Sequence, residues 1–308
     1  MPSAVWAFEV DGAVRHPGRY TLADLRASPR HRATVTLECA GNGRAGFGRA
    51  APGELSWGPG AVSTATWEGV PLRWILRRAG PTPGAREVLI TGFDGDAGAP
   101  VESGRIFARS LPIDRAMTDP DLLIATRMNG VRLPRSHGGP VRLVVPGWYA
   151  MASVKWVRRI TVLTTPFRGY FQTSKYVYER GNRGRRASSP VSEVRVKSIL
   201  TNPSPGARLP IGRPVRLRGK AWSGRGPVVR VEVDVGAGWQ AAALSRGTGR
   251  HEWSQWDFSW RPEKVGRIEV RIRATDASGA SQPQRPFANR FQYGYNAVEA
   301  VRMSVVER

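Results

Sequence analysis

Cysteine is nearly absent from this chain: its 308 residues contain one, Cys39. That scarcity excludes an internal disulfide, a paired-thiolate zinc site, a cysteine-held iron–sulfur cluster and the two-cysteine attachment of a c-type haem. Any metal centre must therefore arrive with most of its own ligands. Long apolar runs are missing as well, and no segment approaches the roughly 18 residues that cross a bilayer. The start, Met1-Pro-Ser-Ala-Val-Trp6, lacks a basic stretch followed by an apolar one, so the sequence as written reads as soluble and cytoplasmic. Export stays open if a leader precedes it. Acidic residues are scarce, 24 against 47 basic, which leaves a formal charge of +23, and only five of the basic residues are lysines. An arginine surplus fits a nucleic-acid partner, an anionic substrate and cofactor gripped by guanidinium forks, or an arginine-biased proteome. No run of five or six basic residues occurs, and the densest stretch, Arg180-Gly-Asn-Arg-Gly-Arg-Arg186, is broken by glycines, so nucleic-acid binding is not expected.

What is present is enough apolar content, 41%, to bury a sizeable core, and the length fits two domains. Residues 4–10 followed by Asp11-Gly12 read as a strand ending in a turn. Thr21 is placed to cap a short helix over Leu22-Ala23-Asp24-Leu25. Val35-Thr-Leu37 reads as a buried strand that delivers Cys39 at its end. In Pro71–Gly80, Leu72, Ile75, Leu76 and Ala79 share one helical face, which assigns that element to the core. Glu87–Thr91 is a buried strand. The glycine- and aspartate-rich segment after it lacks the closing glutamate of a calcium loop in register. Asn129-Gly130 marks a turn, and Val141–Val145 and Val154–Val162 read as strands. Arg180–Pro190 has the composition of a linker. Beyond it, period-two alternation in Val194–Lys197, Val215–Arg218, Val229–Val235 and Ile268–Arg273 predicts an antiparallel sandwich of about a hundred residues, with Trp256, Phe258 and Trp260 on one face of a further strand.

Chemistry concentrates in Leu37-Glu-Cys-Ala-Gly-Asn-Gly-Arg44. Gly41 and Gly43 remove bulk beside the sulfur, so a large group can approach the backbone. A thiolate is a soft metal donor, and Arg44 attracts anions and favours the thiolate. The competing reading of a lone cysteine is a small buried hydrophobe. Downstream, His137, Arg142, Ser153 and Lys155 are all able to donate to an anion, with a satisfied surface histidine as the bland alternative for His137. Trp57 and Tyr176 have a packing alternative each.

Several stretches in one order carry a resemblance: Cys39-Ala-Gly-Asn-Gly-Arg44, Ser63-Thr-Ala-Thr-Trp-Glu-Gly-Val-Pro-Leu72, Met128-Asn-Gly through His137-Gly-Gly-Pro-Val-Arg142, Val145-Pro-Gly-Trp-Tyr-Ala-Met-Ala-Ser-Val-Lys-Trp156 and Tyr293-Gly-Tyr-Asn-Ala-Val298. Together they resemble the sulfite oxidase family of molybdenum-cofactor oxidoreductases. The resemblance implies an α+β cofactor domain, here residues 1–185, followed by an immunoglobulin-like β-sandwich dimerisation domain, residues 190–308. It implies a molybdenum on one pterin (molybdopterin), with Cys39 as the protein's metal ligand. Asp96, His137, Arg142, Ser153 and Lys155 match residues that hold the pterin and its phosphate, and Arg44, Trp57 and Tyr176 match the substrate pocket. The implied reaction is oxygen-atom transfer to a small anion, sulfite to sulfate, with electrons leaving to a separate acceptor such as a cytochrome. Reduction of nitrate or another oxyanion or S-oxide is the alternative on the same fold, and a cofactor-free basic dimerisation or binding module the alternative without chemistry. Two departures stand out. The family's cysteine motif commonly carries two arginines, the first being Gly43 here, which predicts a looser loop. An Arg-Asn-His-type segment expected ahead of the first strand does not occur in the sequence.

Overall fold

The computed structural model describes residues 6–49, 51–96, 98–180 and 187–307. Two compact units emerge, one of Met1–Thr34 with Ala65–Ser192, the other of Val35–Thr64 with Glu193–Arg308. The thirty residues that carry Cys39, Arg44 and Trp57 thus group with the C-terminal half rather than with the segments on either side of them.

The first unit begins with β1 (Ala7–Gly12), β2 (Gly18–Thr21) and α1 (Leu22–Ala27). Thr21 caps α1 as its sequence predicts: Thr21 Oγ1 accepts from the Asp24 amide, and the Asp24 carboxylate accepts from the Thr21 amide. Next come β3 (His31–Glu38), β4 (Val62–Pro71), α2 (Leu72–Ala79), β5 (Glu87–Gly95), β6 (Ile106–Pro112), α3 (Ile113–Thr118), β7 (Leu123–Met128), β8 (Val131–Arg132), β9 (Arg142–Val144) and β10 (Val157–Leu163). One sheet has the order β2-β1-β10-β5-β6, with β1 and β10 parallel and the other pairs antiparallel. A second sheet has the order β3-β4-β7-β8, with β9 also on β7. The division between units falls within β3 and β4.

Leu72, Ile75, Leu76 and Ala79 of α2 are buried to the last per cent of surface, and Gly80 ends the helix with φ 65°. They join Phe8, Val10, Val88, Ile90, Ile124, Leu143 and Ile160 in the first core. At 1.5–3 kcal/mol for each large buried side chain, roughly, this stripe is why the short helix persists. The Asn129-Gly130 turn joins β7 to β8 with φ 49° and 79°, the doubly positive geometry that a two-residue hairpin requires.

Two sequence expectations change here. The strand foreseen from Val154 starts at Val157, because Trp156 sits at φ 48° and breaks the extended path. Part of the foreseen linker is paired structure: β11 (Val177–Arg180) runs antiparallel to β12 (Ala187–Pro190). The rest of that stretch, 181–186, lies outside the described residues.

The second unit holds β13 (Lys197–Asn202), β14 (Arg208–Pro210), β15 (Val215–Trp222), β16 (Val228–Asp234), β17 (Trp239–Ala241), β18 (Ala243–Ser245), β19 (Ser254–Trp260), β20 (Gly266–Asp276) and β21 (Glu299–Val306). They form two sheets, β13-β15-β19-β18 and β14-β21-β20-β16-β17. Every pairing is antiparallel except β14 with β21. Inward residues Leu217, Val231, Val233, Trp256, Val270, Ile272 and Met303 fill the second core, the result of the period-two alternation. The fold is α+β, mostly strands with few helices.

Candidate functional site

In the second unit, β3 ends at Glu38 and hands the chain to Cys39. The thiol is exposed, which removes the buried-hydrophobe alternative. The turn that carries it is pinned: the Cys39 amide donates to Ala61 O and the Asn42 amide to Cys39 O, each at 2.9 Å. Asn42 is buried, and its side chain donates to Glu38 Oε1 at 2.8 Å and accepts from the Ala61 amide at 2.9 Å. A rigid backbone with a free sulfur is what a metal-binding thiolate needs.

Arg44 is enclosed within the second unit. It is 3% exposed, with Nη2 at 3.1 Å from Glu54 Oε2, Nη1 donating to Leu55 O at 2.6 Å and Nε donating to Phe291 O at 3.2 Å. Its guanidinium also lies 5.2 Å from the centre of the Tyr293 ring. A carboxylate, two carbonyls and a ring surround the guanidinium, and three of its five N–H donors are engaged by these oxygens. In this arrangement Arg44 braces the loop, held by Glu54, Leu55 O and Phe291 O. Gly41 makes that fold possible, since a Cβ there would lie 2.7 Å from Arg44 Nη2. Trp57, 46% exposed, accepts the Ala45 amide on its carbonyl and leaves its indole free to face solvent.

In the first unit, Arg142 is buried, and burial pulls its guanidinium down to about 10. Nη1 donates to His137 O and Nη2 to Ser153 O, both at 2.9 Å, and the group stacks 4.9 Å from the centre of Trp67. Ser153 is buried too, its Oγ accepting from the Val145 amide at 3.0 Å. Arg142 and Ser153 thus brace the turn that displays His137 and Lys155. His137 is exposed, and Lys155 Nζ donates to Ser136 O at 2.7 Å. Burial, then the charge of Arg142, hold Lys155 below the usual ammonium range, with Asp94 opposing them.

Asp94, not Asp96, is the carboxylate coupled to Lys155. Burial raises Asp94 above the usual carboxylate range, against its own backbone hydrogen bond and the Lys155 charge. Its Oδ1 is buried with no hydrogen-bond partner among the described residues. Asp96 is solvent-exposed 3.5 Å from Arg105, where water screens the pair. Tyr176 is half-buried behind Phe171–Lys175, a stretch braced by Arg109, which donates to Phe171 O and, at 2.9 Å, to Val191 O. Burial lowers Arg109 to about 10, the Tyr176 charge opposing.

Sequence reasoning did not single out a cavity of about 780 Å³ within this unit, lined by arginines 26, 30, 127, 132 and 135 and by Asp94 and Trp156 among others. Arg26, Arg132 and Arg135 are exposed and have no carboxylate partner among the described residues. Trp156 keeps its φ of 48° through an Nε1 hydrogen bond to Arg135 O at 3.1 Å, and Lys155 Nζ lies 5.4 Å from the centre of its ring. A bulky residue in the left-handed region is a strain that persists where surroundings over-determine it, often beside a ligand. The only sequence signal was the arginine excess itself. Guanidinium groups for a phosphate, flat rings for a heterocycle and a carboxylate oxygen without a partner for a ring N–H form a set, within the first unit, that fits a phosphorylated pterin. Within the second unit, the exposed Cys39 thiol is a soft donor suited to a metal.

Comparison with known proteins agrees. Residues 1–171 match the family model of the oxidoreductase molybdopterin binding domain, and residues 188–292 that of the Mo-co oxidoreductase dimerisation domain. Sulfite oxidase of Gallus gallus is 36% identical over 296 residues, 90% of this chain and 63% of that protein. The NADH nitrate reductase of Spinacia oleracea is 34% identical over 317 residues, 91% of this chain and 33% of that protein. The chain therefore spans less than two thirds of either relative. The solved sulfane dehydrogenase SoxCD from Paracoccus pantotrophus superposes with a TM-score of 0.84 at 28% identity, covering 97% of this chain and 76% of that one. Lone exposed thiol, cation-lined cavity and sandwich domain thus occur in a chain that belongs to the sulfite oxidase family of molybdopterin-binding oxidoreductases.

Proposed function

We propose that this protein transfers an oxygen atom to a small anion, sulfite to sulfate, and passes the electrons to a separate acceptor such as a cytochrome. The observation that carries the reading is the exposed thiol of the only cysteine on a pinned turn. When bound, the molybdenum–pterin group supplies a two-electron redox centre able to exchange an oxygen atom. Cys39 would hold the metal through its thiolate. Lys155, His137 and the unpaired arginines of the first unit's cavity would hold the pterin phosphate, and Asp94 would accept from a ring N–H. Arg142 and Ser153 act one step back, bracing the turn that carries His137. Tyr176 offers a hydroxyl, and Trp57 an exposed ring that can exclude water from a bound anion. Arg44 holds the cysteine loop in shape. The match over 188–292 supports a homodimer built through the sandwich. Among the described residues no helix is long and apolar enough to cross a membrane.

Protein made in a cofactor-competent host should contain molybdenum by metal analysis and oxidise sulfite with an artificial electron carrier. Nitrate turnover without sulfite turnover would transfer the reading to the nitrate reductase branch, which the Spinacia relative represents. Cys39→Ser should keep the fold and lose more than about 100-fold in turnover, beyond the effect of removing a residue that only orients a metal ligand. Unchanged sulfite oxidation in that variant would sink the mechanism.

A further inference from the structure

The residue just before Cys39 is Glu38, whose carboxylate is buried at 1% exposure and accepts three hydrogen bonds within the second unit. Asn42 Nδ2 donates at 2.8 Å, Trp222 Nε1 at 2.8 Å and Lys197 Nζ at 3.1 Å. Lys197, the first residue of β13, is equally buried and also donates to Asn42 O at 3.1 Å. Its ammonium lies 5.7 Å from the centre of the Tyr295 ring. One ammonium thus grips both the residue that precedes Cys39 and the residue three positions after it. Removing an ammonium and a carboxylate from water is costly, and such a pair persists where the geometry is good and further polar partners surround it: Glu38 also accepts from Asn42 and Trp222, and Lys197 also donates to Asn42 O.

Gly43 allows this arrangement. A Cβ at that position would lie 3.0 Å from Lys197 Nζ and 3.0 Å from Tyr295 Cδ1, and the backbone there has φ +78°. The glycine that predicted a looser loop instead admits the cation that closes it.

We propose that Lys197 is a positioning residue for Cys39: its ammonium, admitted by Gly43 and fixed by Glu38 and the Asn42 carbonyl, locks the cysteine loop in the shape that presents the thiol. The proposal rests on Cys39 being the metal-binding thiolate, and it has a readout in cofactor-free protein. Amide hydrogen exchange over residues 39–46 measures the opening of this loop, and exchange in β15, β19 and β20 measures the sandwich core. Lys197→Met should accelerate exchange in the loop about tenfold or more, the effect of losing a hydrogen bond to a charged group. The core strands should exchange as in the wild type. The double variant Glu38→Gln with Lys197→Met avoids stranding a buried carboxylate and should show the same local acceleration. Molybdenum content of protein from a cofactor-competent host should fall in both variants. Wild-type exchange over 39–46 in the folded double variant, or acceleration equal in loop and core, would overturn the proposal. Wild-type protein without molybdenum would overturn the reading of Cys39 as a ligand, while the exchange data would still decide what Lys197 does to the loop.

Discussion

Around the cavity of the first unit, Arg26, Arg132 and Arg135 are exposed cations without a carboxylate partner among the described residues. Around the cysteine loop of the second unit, the buried cations are matched: Arg44 with Glu54 at 3.1 Å and Lys197 with Glu38 at 3.1 Å. Both regions draw on the same surplus of basic residues, yet they use it differently. Unmatched cations in a concave, aromatic-lined surface repel one another and raise the local concentration of anions, so their charge is available to a ligand. Matched cations in a buried loop have no charge left to offer, and what they contribute is geometry. Net charge of a chain says little about binding until each cation is assigned to one of these conditions.

The sharpest way to break this comparison is Arg44→Ala, which removes the ion-pair partner 3.1 Å from the Glu54 carboxylate and the donors to Leu55 O and Phe291 O. Denaturant unfolding should show a loss of about 3–5 kcal/mol, the cost of removing one partner of a buried pair. A change within about 0.5 kcal/mol, the range of ordinary surface substitutions, would show that Arg44 is not spent on the loop.

Glu299 tests the same idea through pH. Burial pushes its carboxyl up to about 7, against the Leu200 amide that donates to Oε2 at 2.6 Å and against the charge of Lys197. Below about pH 4.5 the carboxyl is protonated in both folded and unfolded chains. As pH rises towards 7 the unfolded chain ionises first and the folded chain retains its proton, so stability falls across that window, by up to about 3 kcal/mol. Glu299→Gln keeps an acceptor for Leu200 and should flatten this part of the pH profile. Unfolding free energies of variant and wild type at pH 5 and pH 7.5 give the difference, and identical slopes would exclude a buried proton at this site.

The smallest expected effect belongs to the open region. Arg132→Ala should leave unfolding within about 0.5 kcal/mol of wild type. It should weaken binding of inorganic pyrophosphate by about tenfold, the loss of one charge-assisted contact, as read by titration calorimetry. A stability loss without an affinity change would reverse the assignment of the two regions.

Much of this architecture was legible along the chain, because it rests on short-range pattern. The α2 stripe, the Thr21 cap, the Asn129-Gly130 hairpin and the alternating strands of the sandwich each depend on residues within a few positions of one another. The cysteine stood out through its singularity and the motif around it. Asp94 did not, since two aspartates two positions apart look equivalent until the irregular register near the end of β5 separates a half-buried carboxylate from an exposed one. Lys197 was equally hidden: nothing near position 197 signals that its ammonium belongs to Glu38, 159 residues earlier.

Residue order was sufficient for the lone thiol, the two hydrophobic cores and the family they belong to, since all three are written in local composition and spacing. Whether a given arginine or lysine is free or already neutralised emerged from folding alone. Gly43 is the clearest case: as a letter in a motif it reads as slack, and in the folded chain it is the space into which Lys197 fits. The physical reason is that pairing falls off within a few ångströms, and those few ångströms are set by residues that the chain keeps far apart until it folds.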